Sequence, residues 1–282
     1  MFRRIALAVA FSPRTEALLA EASRLCGAWQ AHLTLIHVGV LDTGKMIWLK
    51  DTLGRLSIAE QSFDVHAESG DPSKVILRAC RDRRIDLLIA GALQKENLVK
   101  YYLGTVGRNI LRNAPCSVLM LTHPRVEDHA FGHIVALAED TPHIKETLRA
   151  ACSIATASRS AWLHILREIK MYGLTLAATG QSTEEEYSHL RHQLVREEIE
   201  AAEGLITDLP HEGVKVNIKV VSGKAGYEVS RFAERKHADL IVVGAPERRF
   251  NFLDRFFSND LEYLFADLPC NFMMVQPLRS DR

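Results

Sequence analysis

The chain has no CxxC pair, no GxGxxG run, no long apolar stretch and no excess of either charge. Each absence removes a class of function. The five cysteines (Cys26, Cys80, Cys116, Cys152, Cys270) are odd in number and scattered. That pattern fits neither a disulfide framework nor a zinc site, and predicts reduced thiols, buried as small apolar side chains, in a cytoplasmic protein. Without GxGxxG there is no dinucleotide fingerprint. No apolar segment reaches the ~20 residues that a membrane span needs. The opening MFRRIALAVAF reads as a strand, because its apolar run is short for a secretory signal and carries no cleavage site. Lys+Arg and Asp+Glu both total 35, so bulk charge gives no reason to expect nucleic acid or an anionic membrane as partner. No Ser/His/Asp or Cys/His set stands at telling positions. His189 and His192 lie three apart on a Glu-rich stretch, and read as solvated side chains rather than metal ligands.

What is present is a repeat. Asp86–Leu121 reads as buried strand, long polar loop, helix and second buried strand, and a variant of it runs over Asp239–Val275. Asp86, Gly91 and Ala92 match Asp239, Gly244 and Ala245 at an offset of 153, and Pro115-Cys116 matches Pro269-Cys270 at an offset of 154. With 282 residues, hydrophobic content of 47% and charged content of 25%, the chain is long enough for two globular domains that each bury a core. The polar segment Thr122–Gly132 is the expected junction, placing one domain at 1–124 and the other at 132–282. Residues 1–124 hold 16 basic and 11 acidic side chains, net +5, whereas residues 125–282 hold 19 and 24, net −5. This difference would favour docking of the halves, or is ordinary scatter.

In the first half, apolar runs predict strands at Ile5–Ala10, Leu33–Val38, Phe63–Ala67, Leu87–Ala90 and Ser117–Leu121. Ser12-Pro13 is read as N-cap and first residue of a helix, and Ser69-Gly70-Asp71-Pro72 as turn and cap of another over Ser73 to about Arg83. A short helix is expected between Gly39 and Ser62, and one from Val106 to Asn113. The second half repeats the order with strands at Ile134–Ala138, Trp162–Leu166 and Val214–Val221, and a helix starting near Thr141-Pro142. A long amphipathic helix from Ser182 to about Leu209 has acids in its first turn, as the helix dipole prefers. Ile134 matches Ile5 at an offset of 129, against 153 further on, so about two dozen extra residues sit between the second and third strands of copy two. Copy one is thus trimmed at its second helix. Alternating strands and helices predict parallel sheets with right-handed crossovers.

In such sheets ligands sit beyond the carboxyl ends of the strands, where strand order reverses. The candidates are Ala10-Phe11, Val38 and the loop from Gly91 to Val106. Gly104-Thr105 precedes a helix, whose free N–H groups and positive end favour a phosphate. Glycine there permits close approach of backbone to ligand, and Thr105 is expected to cap the helix. Helix capping alone would also explain the pair, and Gly91 would serve equally as the turn ending a strand.

These residues resemble the universal stress protein family. Its ATP-binding members carry Gly, two residues, Gly, nine residues, Gly and then Ser or Thr; copy one has Gly91, Ala92-Leu93, Gln94, nine residues Lys95–Leu103, Gly104 and Thr105. Only Gln94 departs, in place of the middle glycine. The continuation GTVGRNILRNAPCSVLML is similar to the family's run, Pro-Cys before the last strand included, and the likeness covers nearly the whole chain in two passes. Copy two has Gly244, Ala245-Pro246, Glu247, nine residues Arg248–Phe256, Phe257 and Ser258. There Phe257 would block the backbone's approach and Glu247 would repel phosphate. In nucleotide-binding relatives the first strand ends in an Asp that contacts the nucleoside; here Ala10 stands in copy one and Glu139 in copy two.

The resemblance implies two tandem doubly wound α/β domains, each a five-stranded parallel sheet of order 3-2-1-4-5 with helices on both faces. It implies that ATP, with or without magnesium, binds in copy one. Val38 would line the adenine pocket, with Ala10, Gly91 and Gln94 around the ligand, and the backbone of Gly104, Thr105 and Val106 would hold phosphates. Lys95 and Lys100 would add charge. Family members pair through their last strands, which in this chain would set Ser117–Leu121 against Asn271–Val275, with a further homodimer open. No catalytic base is identified, so the expected role is a sensor in stress response, at most a slow ATPase. The alternatives are an interaction or scaffold protein, its pockets closed by Ala10, Gln94, Glu247 and Phe257, or a binder of another small molecule.

Overall fold

The computed structural model describes residues 1–94, 101–127, 131–169, 184–222, 225–246, 264–265 and 267–277. Apolar runs become strands that are buried along their length. The first half supplies β1 (Arg4–Val9), β2 (His32–Val38), β3 (Phe63–Glu68), β4 (Leu87–Gly91) and, after the two-residue strands β5 (Leu93–Gln94) and β6 (Tyr101–Tyr102), β7 (Ser117–Leu121). The second supplies β8 (His133–Leu137), β9 (Trp162–Ile169), β10 (Lys215–Ser222), β11 (Leu240–Gly244) and β12 (Asn271–Val275). Helices α1 (Thr15–Trp29), α2 (Thr43–Arg55), α3 (Pro72–Asp82) and α4 (Thr105–Asn113) belong to the first half, and α5 (Ile144–Ala157), α6 (Glu184–Ile206) and α7 (Ala225–Lys236) to the second.

Ten strands form one sheet in the order β10-β9-β8-β11-β12-β7-β4-β1-β2-β3. Each half keeps the order 3-2-1-4-5 with parallel neighbours. The halves join through β7 and β12, which run antiparallel with Phe272 opposite Met120 and Met274 opposite Val118. This contact covers two strand edges that would otherwise offer unpaired backbone. The apolar cores are continuous across it. On one face Leu88, Val118 and Met120 cluster with Phe272, Met274 and Phe265; on the other Leu119 and Leu121 cluster with Met273 and Val275. Asn271 fixes the seam: its Oδ1 accepts from Thr122 N (2.8 Å) and Thr122 Oγ1 (3.2 Å), while its Nδ2 donates to Asp239 O (2.8 Å). Leu103 N also donates to Phe265 O (3.0 Å) across the halves.

Local rules explain the starts of α2 and α3. Asp42 caps α2 and Asp71 caps α3, each accepting from the N–H three residues on at 2.9 Å, and Pro72 takes the first position of α3. The segment between Gly39 and Ser62 holds a helix of 13 residues, against 23 in α6, so the longer helix supplies part of the two dozen extra residues that the offset of the repeats requires.

Two helix starts differ from expectation. α1 starts at Thr15, with Arg14 at the cap position and no side-chain cap; Ser12 and Pro13 form a turn ahead of it. The reason is tertiary: Arg14 reaches across to the carbonyls of Ala92 (2.7 Å), Leu121 and Thr122 at the ends of the inner strands. α5 likewise starts at Ile144, three residues after Thr141. After β4, Leu93 pairs with Tyr102 and Gln94 with Tyr101, which satisfies surface backbone locally.

Candidate functional site

Strand order reverses between β1 and β4, and a cavity of about 650 Å³ opens there at the carboxyl ends. Its walls join two environments. Ile36, Val38, Ile76, Ala90, Ile110 and Met120 make an apolar slot between sheet and helices. Gly104, Thr105, Val106 and Gly107, the first turn of α4, close one end. First-turn N–H groups have no partner within their helix, so they are free to face an anion. The slot suits a flat apolar body and the helix end an attached negative group.

Of the residues singled out in the sequence, Ala10, Val38, Gly91, Gly104, Thr105 and Val106 all line this cavity. For Gln94 the structure describes the backbone alone, in β5 beside Leu93, which also lines it. Lys95 and Lys100 lie outside the described residues, as do Glu247, Phe257 and Ser258 of the second copy. The expected capping by Thr105 is corrected: Gly104 is the N-cap, in extended geometry (φ −68°, ψ 177°), and Thr105 is the first helical residue. The glycines also have reasons within the fold. A Cβ at Gly104 would come within 2.6 Å of the Leu93 side chain, and one at Gly91 within 3.2 Å of Leu18 on α1. Gly244 answers to Thr147 in the same way, at 2.9 Å. Packing therefore accounts for the glycines; it does not account for the open space between them.

Among the lining residues that sequence reasoning did not single out are His37 and Arg14. His37 is buried, and its Nδ1 lies 3.0 Å from Val9 O at the end of β1. Phe11, held at φ 50°, packs edge-on against His37 (centroids 4.9 Å) and against Trp48 of α2 (6.0 Å), with Lys45 Nζ 5.5 Å from its ring. The signal for His37 was a polar residue interrupting the apolar run of β2 near its carboxyl end. Arg14 left no such signal.

The second copy builds the equivalent place differently. Ile5 pairs with Leu33 and Ile134 with Leu163, so Arg167 occupies the position of His37 and Ala138 that of Val9. Arg167 Nη1 donates to Ala138 O (3.0 Å) and to Asp140 Oδ1 (2.9 Å), and Nε donates to Glu198 Oε2 (2.8 Å), which also accepts from Nη2. Glu198 comes from α6, the helix lengthened in this copy. Burial opposes the charge of Arg167, but the hydrogen bonds and charges of Glu198 and Asp140 outweigh it and raise its pKa. The guanidinium thus spans the mouth of this half as a fixed cross-brace. Glu139, the second copy's counterpart of Ala10, is half-buried, and its backbone O accepts from Thr141 N (2.8 Å).

Among the described residues no three His, Cys, Asp or Glu side chains stand close enough to hold a metal ion, and no helix is long and apolar enough to cross a membrane. All five cysteines are buried and unpaired.

The fold matches solved structures along nearly its whole length. A protein of unknown function from Pseudomonas aeruginosa PAO1 superposes with a TM-score of 0.73 at 18% identity, covering 98% of this chain and 93% of the other. A universal stress protein from Archaeoglobus fulgidus gives 0.65 at 14% identity, covering 97% and 98%. In sequence, a universal stress protein of Methanocaldococcus jannaschii is 30% identical over 70 residues, which is 24% of this chain and 41% of that curated relative. The model of the universal stress protein family matches residues 43–122 and again 130–276, one match in each half of the sheet. With the repeat, the strand order and two family matches in agreement, the chain belongs to the universal stress protein family, as two tandem copies of its domain.

Proposed function

We propose that this protein is a cytoplasmic regulator of stress response that binds ATP or another adenine nucleotide in its first domain, residues 1–124. The second domain, residues 132–282, is its closed counterpart. One observation carries the reading: the first domain keeps an open cavity of about 650 Å³ in which an apolar slot ends on the first turn of α4. A purine fits the slot beside Ile36 and Val38, and phosphates fit the N–H groups of Thr105, Val106 and Gly107. Ala10 brings no carboxylate to the nucleoside, so affinity rests on the slot and the helix end. The binding domain acts as a sensor, with no residue assigned to catalysis.

The test is equilibrium binding of labelled ATP to the full chain, with and without magnesium, and to Gly104→Phe. The ring would displace Leu93 and enter the cavity mouth, so affinity should fall more than about tenfold. An unchanged affinity would put the nucleotide elsewhere. The second reading is a nucleotide-free interaction protein of the same fold; the brace of Arg167, Asp140 and Glu198 across the second domain favours it, and failure of the wild type to bind ATP would support it.

A further inference from the structure

Resting on the nucleotide reading above, we propose that the second domain holds the phosphate-binding end of α4 in place, with Phe265 as the positioning residue. The backbone O of Phe265 accepts a hydrogen bond from Leu103 N at 3.0 Å. Leu103 immediately precedes Gly104, the N-cap of α4. It is only 1% exposed, so water cannot replace Phe265, and a buried N–H without an acceptor is costly. On its other side the Leu103 carbonyl accepts from Arg108 Nε of α4 at 3.0 Å. Leu103 is therefore clamped between its own helix and the other half of the molecule. The free N–H groups of a helix start meet one anion only where the residue leading into the helix fixes its direction. Here that residue takes its amide bond from the second domain.

Packing follows the same path. A Cβ on Gly107 would lie 3.5 Å from both Leu103 Cδ2 and Met120 Cε, so these two side chains meet at the first turn of α4. Met120 stands opposite Phe272 across the seam. The ring of Phe272 is edge-on to that of Phe265, with centroids 5.4 Å apart. Leu103, Met120, Phe265 and Phe272 are all buried in one apolar cluster. The start of α4 is thus tied to the second half by a hydrogen bond and by packed side chains.

The apolar slot is built from other elements. Ile36 and Val38 come from β2, which β1 and β4 separate from the seam strand β7. Ile76 comes from α3. A shift of Phe265 should therefore disturb the phosphate end of the cavity and leave the base end as it is. Coupling between sites is reciprocal, so a change in the second domain that moves Phe265 alters phosphate affinity, and bound phosphate favours the seam as it stands.

The experiment measures equilibrium binding of ATP and of adenosine to the full-length wild type, Phe265→Ala, Phe265→Leu and Phe232→Ala. Phe232 is a buried aromatic of the same domain, on α7 against His164 of β9, a strand that β8 and β11 separate from β12. Phe265→Ala should weaken ATP about tenfold and adenosine less than about twofold. Phe265→Leu, which refills part of the space, should lose about threefold for ATP alone. Phe232→Ala should bind both ligands as the wild type does. Should Phe265→Ala not fold, as judged by circular dichroism and melting, Phe265→Leu decides on the same criterion. Should the wild type bind ATP but not adenosine, the ATP affinities of the Phe265 and Phe232 variants decide. Unchanged ATP affinity in the folded Phe265 variants, equal weakening of ATP and adenosine, or an equal ATP loss in Phe232→Ala overturns the role of Phe265 and leaves nucleotide binding standing. A wild type that binds neither ligand overturns both.

Discussion

Replacing Arg167 by methionine should destabilise the second domain measurably, and the structure sets the scale. Methionine keeps the apolar stem but deletes every donor of a side chain that is only 6% exposed. Three partners lose out unequally. Asp140 is 74% exposed and returns to water, so its share is about 0–1 kcal/mol. Glu198 is 29% exposed and would keep a carboxylate facing a methyl thioether, while Ala138 O would lose its side-chain donor. Groups stranded in this way cost about 1–3 kcal/mol each. The sum is about 2–7 kcal/mol, which at about 2–4 °C per kcal/mol lowers the melting temperature by at least roughly 4 °C. Thermal unfolding followed by circular dichroism reads it directly. A double variant, Arg167→Met with Glu198→Leu, should recover more than half of the loss, because removing both members of a pair removes the desolvation cost that one alone leaves behind. A single variant that melts within about 1 °C of the wild type, or a double variant that melts lower than the single, would show that the brace contributes nothing and that the argument is wrong.

Asn271→Ala breaks two hydrogen bonds across the seam between the halves and a third within the second half, and should cost about 2–4 kcal/mol in denaturant unfolding, with faster amide exchange at Thr122. His164 gives a dependence on pH. Burial first, then the charges of His133 and Lys236, hold its pKa down to about 4 from an ordinary 6.5. As pH falls through about 6.5 the unfolded chain takes a proton that the folded chain accepts only near 4, so stability should drop across that window, by up to about 3 kcal/mol. The fall in melting temperature between those pH values should be shallower for His164→Gln; an identical slope would acquit His164. Burial pushes the thiols of Cys26 and Cys152 up to about 12 and about 11, and that of Cys270 up as well. A thiol reagent at pH near 8 should therefore label the native chain no faster than it unfolds, and denaturant should release all five thiols; rapid labelling of any one in the native state would contradict its burial.

Much of this molecule could be read before folding. Ser117–Leu121 and Asn271–Val275 were legible to the residue because each is an apolar run bounded by a Pro-Cys turn, and a strand covered on both faces permits little else. The cap at Asp71 and the unequal second helices followed from residue type and from counting. The cavity was legible only in part. Ala10, Val38, Gly91 and Gly104 were found because strand ends and glycines leave marks in sequence.

What the sequence determined alone was whatever depends on neighbours along the chain: periodicity, capping, the repeat, and hence two parallel-sheet units. What the tertiary structure decided depends on groups far apart in sequence. Arg14 moves the start of α1 because its carbonyl partners lie on Ala92, Leu121 and Thr122. His37 and Arg167 hold the same position, yet one lines an open cavity and the other is pinned by a carboxylate from a lengthened helix. A side chain's hydrogen-bonding choice is set by which backbone ends the fold delivers to it, and that delivery is not written in any local stretch.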